Sequence, residues 1–156
     1  ILSAKIKLYS DTSVWNNSYE KPTNFTSEYF DPTKPQSERR DMSTFLSDLA
    51  AFSANGAIQL IKGYNLDKNP AYYELTVTQT FKDIIEKSEV AKDIALSVGA
   101  YDLNSNTGMP VGQKYNTRVY TPNRIVLVGT DTDNPANPQL ANRAQLHIIY
   151  STKKTQ

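Results

Sequence analysis

Tyr72–Tyr101 reads YYELTVTQTFKDIIEKSEVAKDIALSVGAY, and two structural periods follow one another within it. In Tyr72–Val77, YYELTV, the side chains of Tyr73, Leu75 and Val77 fall on one side, the two-residue period of a half-buried strand. Thr78 then stands where a helix cap belongs, and Gln79–Glu89 places Phe81, Ile84 and Ile85 on one helical face. Asp93–Tyr101 returns to the period of two through Ile94, Leu96, Val98 and Ala100. The rest of the chain shows no repeated strand–helix–strand spacing, so a parallel α/β sheet is not expected.

Working outward, Ile1–Tyr9 alternates Ala4, Ile6 and Leu8 with Lys5, Lys7 and Tyr9, a strand with one apolar face. Ala57–Lys62 (AIQLIK) and Arg124–Gly129 (RIVLVG) read as compact strands. Gln145–Tyr150 (QLHIIY) reads as a closing strand with Leu146, Ile148 and Tyr150 on one face. A helix capped by Asp41 would align Phe45, Leu49 and Phe52, with Leu46 beside them. Asn55-Gly56 marks a turn. Ser10–Asp41, Gly63–Pro70, Asn104–Pro122 and Thr130–Asn142 read as polar connections. The expected fold is mainly β: an antiparallel β-sandwich, jelly-roll-like, with one or two short helices, spanning residues 1–156 as a single domain.

Composition narrows the chemistry. Seventeen basic and sixteen acidic residues leave a net charge of +1, so the basic excess that neutralises phosphates is missing and nucleic acid is not an expected partner. The chain has no cysteine and a single histidine, His147. That rules out disulfides, thiol nucleophiles and multi-histidine metal sites. It contains no apolar run of the roughly 18 residues that cross a bilayer as a helix. It opens on Ile1, as a mature or trimmed piece of a longer protein would.

YYELTVTQTFKDIIEK, DIALSVGAYD, RIVLVGTDTDNP and ANRAQLHIIYS follow one another in the order strand and helix, strand, strand and turn, final strand. Across Ala57–Ser151 this pattern resembles the C-terminal jelly-roll half of a family of uncharacterised Bacteroidota outer-membrane lipoproteins. It is similar, more widely, to the DNRLRE-type sandwich domains of bacterial surface proteins. The resemblance lies in hydrophobic and cap positions, not in an invariant motif. It implies a signal peptide and a lipid-modified cysteine upstream, and display at the outer membrane or cell surface. It carries over no catalytic residue.

Tested residue by residue, catalysis finds little support. His147 lies between Leu146 and Ile148, on the opposite face of its strand, with no second histidine and no G-x-S-x-G elbow to supply a nucleophile. Carboxylates that could pair as in glycosidases are Glu74, Asp83, Glu86, Asp102, Asp131 and Asp133. Lys82 and Lys87 flank Asp83 and Glu86 in the pattern of a solvated helix face. Asp131–Asn134 alternates oxygen donors, but Ala136 and Asn142 stand where an EF-hand loop needs glycine and glutamate. A looser calcium site at Asp131 and Asp133 is the remaining metal reading, against an ordinary Asx turn. No cofactor, no catalytic residue and no protein metal ligand is expected.

Binding is the better-supported chemistry. Trp15, Tyr19 and Tyr29 lie in the first polar stretch beside Asn16, Asn17 and Asn24, and Tyr115 and Tyr120 lie in Asn104–Pro122. Tyrosine suits a ligand site because its ring packs while its hydroxyl stays hydrogen-bonded. Such aromatics serve equally as anchors of the loops, as a glycan platform or as the core of a protein interface. The expected function is a non-catalytic surface lipoprotein domain, a structural or accessory subunit bound to an envelope or outer-membrane protein. The alternative is a carbohydrate-binding module using Trp15, Tyr19, Tyr29, Tyr115 and Tyr120.

Overall fold

The computed structural model describes residues 1–11, 22, 25–41, 48, 58–61, 72–108, 110–115, 123–129 and 140–152. In chain order these supply β1 (Ser3–Tyr9), β2 (Phe25–Phe30), β3 (Arg40–Asp41), β4 (Ile58–Ile61), β5 (Tyr72–Thr76), α1 (Thr78–Glu86), β6 (Asp93–Val98), β7 (Ala100–Leu103), β8 (Pro110–Tyr115), a 3-10 turn (Leu140–Asn142) and β9 (Gln145–Ile149). The architecture is mainly β and sandwich-like. A four-stranded sheet has the order β4-β5-β1-β9 and a three-stranded sheet the order β3-β2-β6, and β7 and β8 form a hairpin; every pairing is antiparallel.

The two-residue period predicted the inner layer. Ala4 on β1, Tyr73 and Leu75 on β5, and Val77 just beyond it are fully or almost fully buried. Ile6 and Leu8 pack around them, and Ile94, Leu96 and Val98 reach the same core from β6. The two sheets meet where the Phe25 ring stands edge-on to Tyr73, centroids 4.8 Å apart. Such a pair adds about 0.5–1.5 kcal/mol to the area it buries. The Tyr73 hydroxyl, carried into the core by its ring, donates to the Pro22 carbonyl at 2.8 Å, which removes the cost of an unmade buried hydrogen bond. Burial raises its pKa.

Several elements differ from the sequence reading. Ser10–Asp41 is not one long connection: it contains β2 and β3. β2 is the central strand of its sheet, and Phe25, Thr26, Ser27 and Glu28 are all buried. Its polar FTSEYF pattern hid it. β3 pairs only through Tyr29–Asp41 and Phe30–Arg40. Past its end, the Tyr101 hydroxyl takes over at the edge of β2, accepting from the Ser27 N–H (2.8 Å) and donating to the Ser27 carbonyl (3.1 Å). Asn104–Pro122 likewise contains β8, and Asn104 itself closes the preceding turn by accepting the Asn106 and Thr107 N–H groups. Asp93–Tyr101 is not one strand. It is interrupted at Gly99, so β6 pairs with β2 while β7 leaves to pair with β8. Arg124–Gly129 is not a ladder strand but an isolated bridge, Ser10 to Leu127, with Asp11 and Val128 donating to Val126 and Tyr9.

The helix ends at Glu86, short of Glu89, and Ser88 beyond it takes a positive φ of 58°. Thr78 is not its cap. Its hydroxyl is engaged with the backbone of Ala4, accepting the Ala4 N–H at 3.1 Å. The cap comes from 31 residues away, where buried Asp48 accepts the N–H groups of Gln79 (2.7 Å) and Thr80 (3.1 Å) and the Thr80 hydroxyl (2.7 Å). A carboxylate at a helix N-terminus satisfies orphan donors and complements the helix dipole. The expected helix from Asp41, the turn at Asn55-Gly56, and the Gly63–Pro70 connection lie outside the described residues, Asp48 apart.

Candidate binding surface

β1 and β5 run in register as Lys5–Thr76, Lys7–Glu74 and Tyr9–Tyr72, and β9 continues the row with His147 opposite Lys5 and Gln145 opposite Lys7. Alternation puts these residues on the face of the four-stranded sheet turned away from the core. The rings of Tyr9 and Tyr72 meet at 5.2 Å, tilted by 40°, and Lys7 lies 5.0 Å from the Tyr72 centroid. Glu74 is held by Lys5 at 2.7 Å and Lys7 at 3.7 Å. His147 and Gln145 share a side-chain hydrogen bond of 3.0 Å. The result is a polar, aromatic platform whose rings and charged groups are held by neighbours on the same sheet.

β9 completes this platform and, among the described residues, is the end strand of its sheet. The sequence places Leu146, Ile148 and Tyr150 on one face. In the structure Leu146 is 46%, Ile148 38% and Tyr150 68% exposed, and Ile149, on the opposite face, 61%. Periodicity reports that a face is apolar, not that another layer covers it.

The sequence-predicted ligand residues divide. Trp15, Tyr19 and Tyr120 lie outside the described residues. Tyr29 sits on β2, half-buried and packed against the core, its ring 5.2 Å from Lys92. Burial raises its pKa, a trend that a hydrogen bond with Thr80 opposes. Tyr115 ends β8, opposite Ala100. The two tyrosines thus belong to different sheets. Tyr9 and Tyr72, which the sequence reading passed over, form the aromatic pair instead; the signal was their shared phase opposite Leu8 and Tyr73.

Of the carboxylates named as catalytic candidates, Glu74 is clamped by two lysines, Asp83 bridges to Lys87 at 2.7 Å, and Glu86 is exposed at the end of α1. Asp102 is exposed on β7. Asp131 and Asp133, with the loose calcium reading, lie outside the described residues. Among the described residues no group of three histidine or carboxylate side chains converges as a metal site, and no helix is long and apolar enough to cross a membrane. A half-buried polar contact lies between sheet and hairpin, where Gln113 of β8 donates to Glu28 of β2. It joins two structural layers.

No family model, curated protein or solved structure matches the chain.

Proposed function

We propose that the chain is a non-catalytic domain of the bacterial outer membrane or cell surface, a structural or accessory subunit that joins an envelope assembly through the open edge of β9. The observation that carries this reading is the end strand β9, uncharged but for His147, on which Leu146 and Ile148 on one face and Ile149 on the other are 38–61% exposed. Isolated surface apolar residues are ordinary, but an apolar end strand without lysine, proline or acidic residues to blunt it marks an interaction surface. The engagement of Glu74 and Asp83 in ion pairs favours the same reading over a hydrolytic carboxylate pair. What supports an envelope location is the resemblance of the Ala57–Ser151 sequence pattern to outer-membrane lipoproteins.

The test is gentle detergent extraction of the tagged protein from its native membrane, followed by mass spectrometry of what accompanies it. Recovery of the protein in a membrane-associated assembly of more than one chain, dissociated by an Ile148→Lys, Ile149→Lys variant, is the expected result. Recovery of the protein alone, in a soluble fraction and unchanged by the variant, would overturn the reading.

The half-buried Tyr9–Tyr72 pair beside Glu74 favours a second reading, a glycan platform on the outer sheet face. Rings flanked by hydrogen-bonding side chains suit a sugar's apolar and hydroxylated faces. Binding on a polysaccharide array that is abolished by Tyr72→Ala would support it.

A further inference from the structure

We infer that the neighbour seated on β9 is a second copy of this chain, added strand to strand about a two-fold axis at His147. The inference rests on the reading of β9 as an assembly edge and names its occupant.

Charge is the first ground. Natural edge strands are blunted by lysine, proline or inward-pointing charge. Gln145–Tyr150, QLHIIY, carries no proline and no acidic, lysine or arginine residue. A strongly acidic or basic partner segment meets no complementary charge on this strand. A second β9 brings an equally uncharged strand and no like-charge repulsion.

Register is the second ground. Antiparallel pairing of β9 with its copy about His147 sets Leu146 opposite Ile148 of the copy and Gln145 opposite Ile149. Leu146 and Ile148 also lie across from Ile6 and Ala4 of β1. The four apolar side chains gathered at the axis therefore continue the row of the inner layer from one copy to the next. The two four-stranded sheets become one sheet, and both open edges close. A two-fold contact of this kind ends growth, whereas a head-to-tail contact propagates.

Area bounds the strength of the contact. On β9 itself Leu146 is 46%, Ile148 38% and Ile149 61% exposed, on the order of 300 Å² per copy at roughly 200 Å² each, and this is an upper limit below the about 800 Å² per partner of a standard interface. The strand backbone supplies part of the remainder. The expected dimer is therefore weak, reversible and concentration-dependent.

Sedimentation of the full chain from micromolar to millimolar concentration tests this. A monomer–dimer equilibrium is expected, weakened at least tenfold by Ile148→Lys, with circular dichroism reporting that the variant is folded. Cysteine cross-linking reads the register independently, because the chain has no cysteine of its own. His147→Cys places two thiols opposite each other at the axis, and mild oxidation should give a covalent dimer. Ile149→Cys should not, since its copies lie about 13 Å apart, beyond the roughly 7 Å reach of a disulfide. A chain that stays monomeric throughout, with no His147→Cys cross-link, overturns the inference. So do open-ended polymers in place of a dimer. A monomer whose β9 instead captures a different envelope protein overturns the second copy and leaves the proposed assembly role standing. A monomer with neither contact overturns both.

Discussion

Replacing Asp48 with alanine removes three hydrogen bonds at once from the start of α1. The carboxylate accepts from Gln79 N–H at 2.7 Å, Thr80 N–H at 3.1 Å and the Thr80 hydroxyl at 2.7 Å, and both Asp48 and Thr80 are buried. Loss of a side-chain N-cap alone costs about 1 kcal/mol and at most about 2. Thr80 is then left with a buried hydroxyl and N–H lacking these acceptors, adding about 1–2 kcal/mol. The expected destabilisation is about 3 kcal/mol, which for a chain of this size lowers Tm by about 6–12 °C. Asp48→Asn keeps one acceptor oxygen and should lose roughly half as much. Urea unfolding followed by circular dichroism measures both, with an unchanged m-value showing that the compactness of the end states is preserved. Thr80→Val completes a double-mutant cycle, and a coupling of about 1 kcal/mol or more is expected between the two side chains. An Asp48→Ala variant within about 0.5 kcal/mol of the parent would refute the long-range cap.

Further outcomes follow from other contacts. Tyr101→Phe strips the hydroxyl that bonds both backbone groups of Ser27; a loss of about 1–3 kcal/mol is expected in urea unfolding, with faster hydrogen exchange at the Ser27 amide. Thr26 is fully buried, and its hydroxyl has no hydrogen-bond partner among the described residues. Thr26→Val should therefore be neutral or stabilising by up to about 1 kcal/mol, because it replaces an unsatisfied hydroxyl with a methyl of similar size. The Asp83 pKa is lowered, first by its hydrogen bond to Lys87. The ionised carboxylate is favoured in the folded state, so its contribution is complete above the ordinary carboxylate pKa and fades as pH falls through the lowered folded value. Lys87→Met should thus destabilise the protein at neutral pH and lose that effect below about pH 4, as thermal melts across pH would register.

Where apolar residues recur every second position and a second layer covers them, local pattern and structure agree. Tyr73, Leu75 and Val77 are core, β1 lies where its alternation places it, β4 lies within the strand read at Ala57–Lys62, and α1 follows β5, because a strand or helix with one apolar face must bury that face whatever the partner. Tertiary structure decided the rest, since each remaining feature depends on a group distant along the chain. The polar strand FTSEYF is central because β6 and a short β3 flank it and Tyr101, 74 residues on, serves the backbone of Ser27. Thr78 reads as a cap, yet it is the first residue of the helix, its oxygen is engaged by Ala4 and the cap comes from Asp48. Tyr9 and Tyr72 became a pair only when β1 and β5 aligned. The apolar side of β9 was written in the sequence, but its exposure was not. Periodicity encodes which side chains avoid water, whereas the order of strands in a sheet determines whether anything remains to cover them.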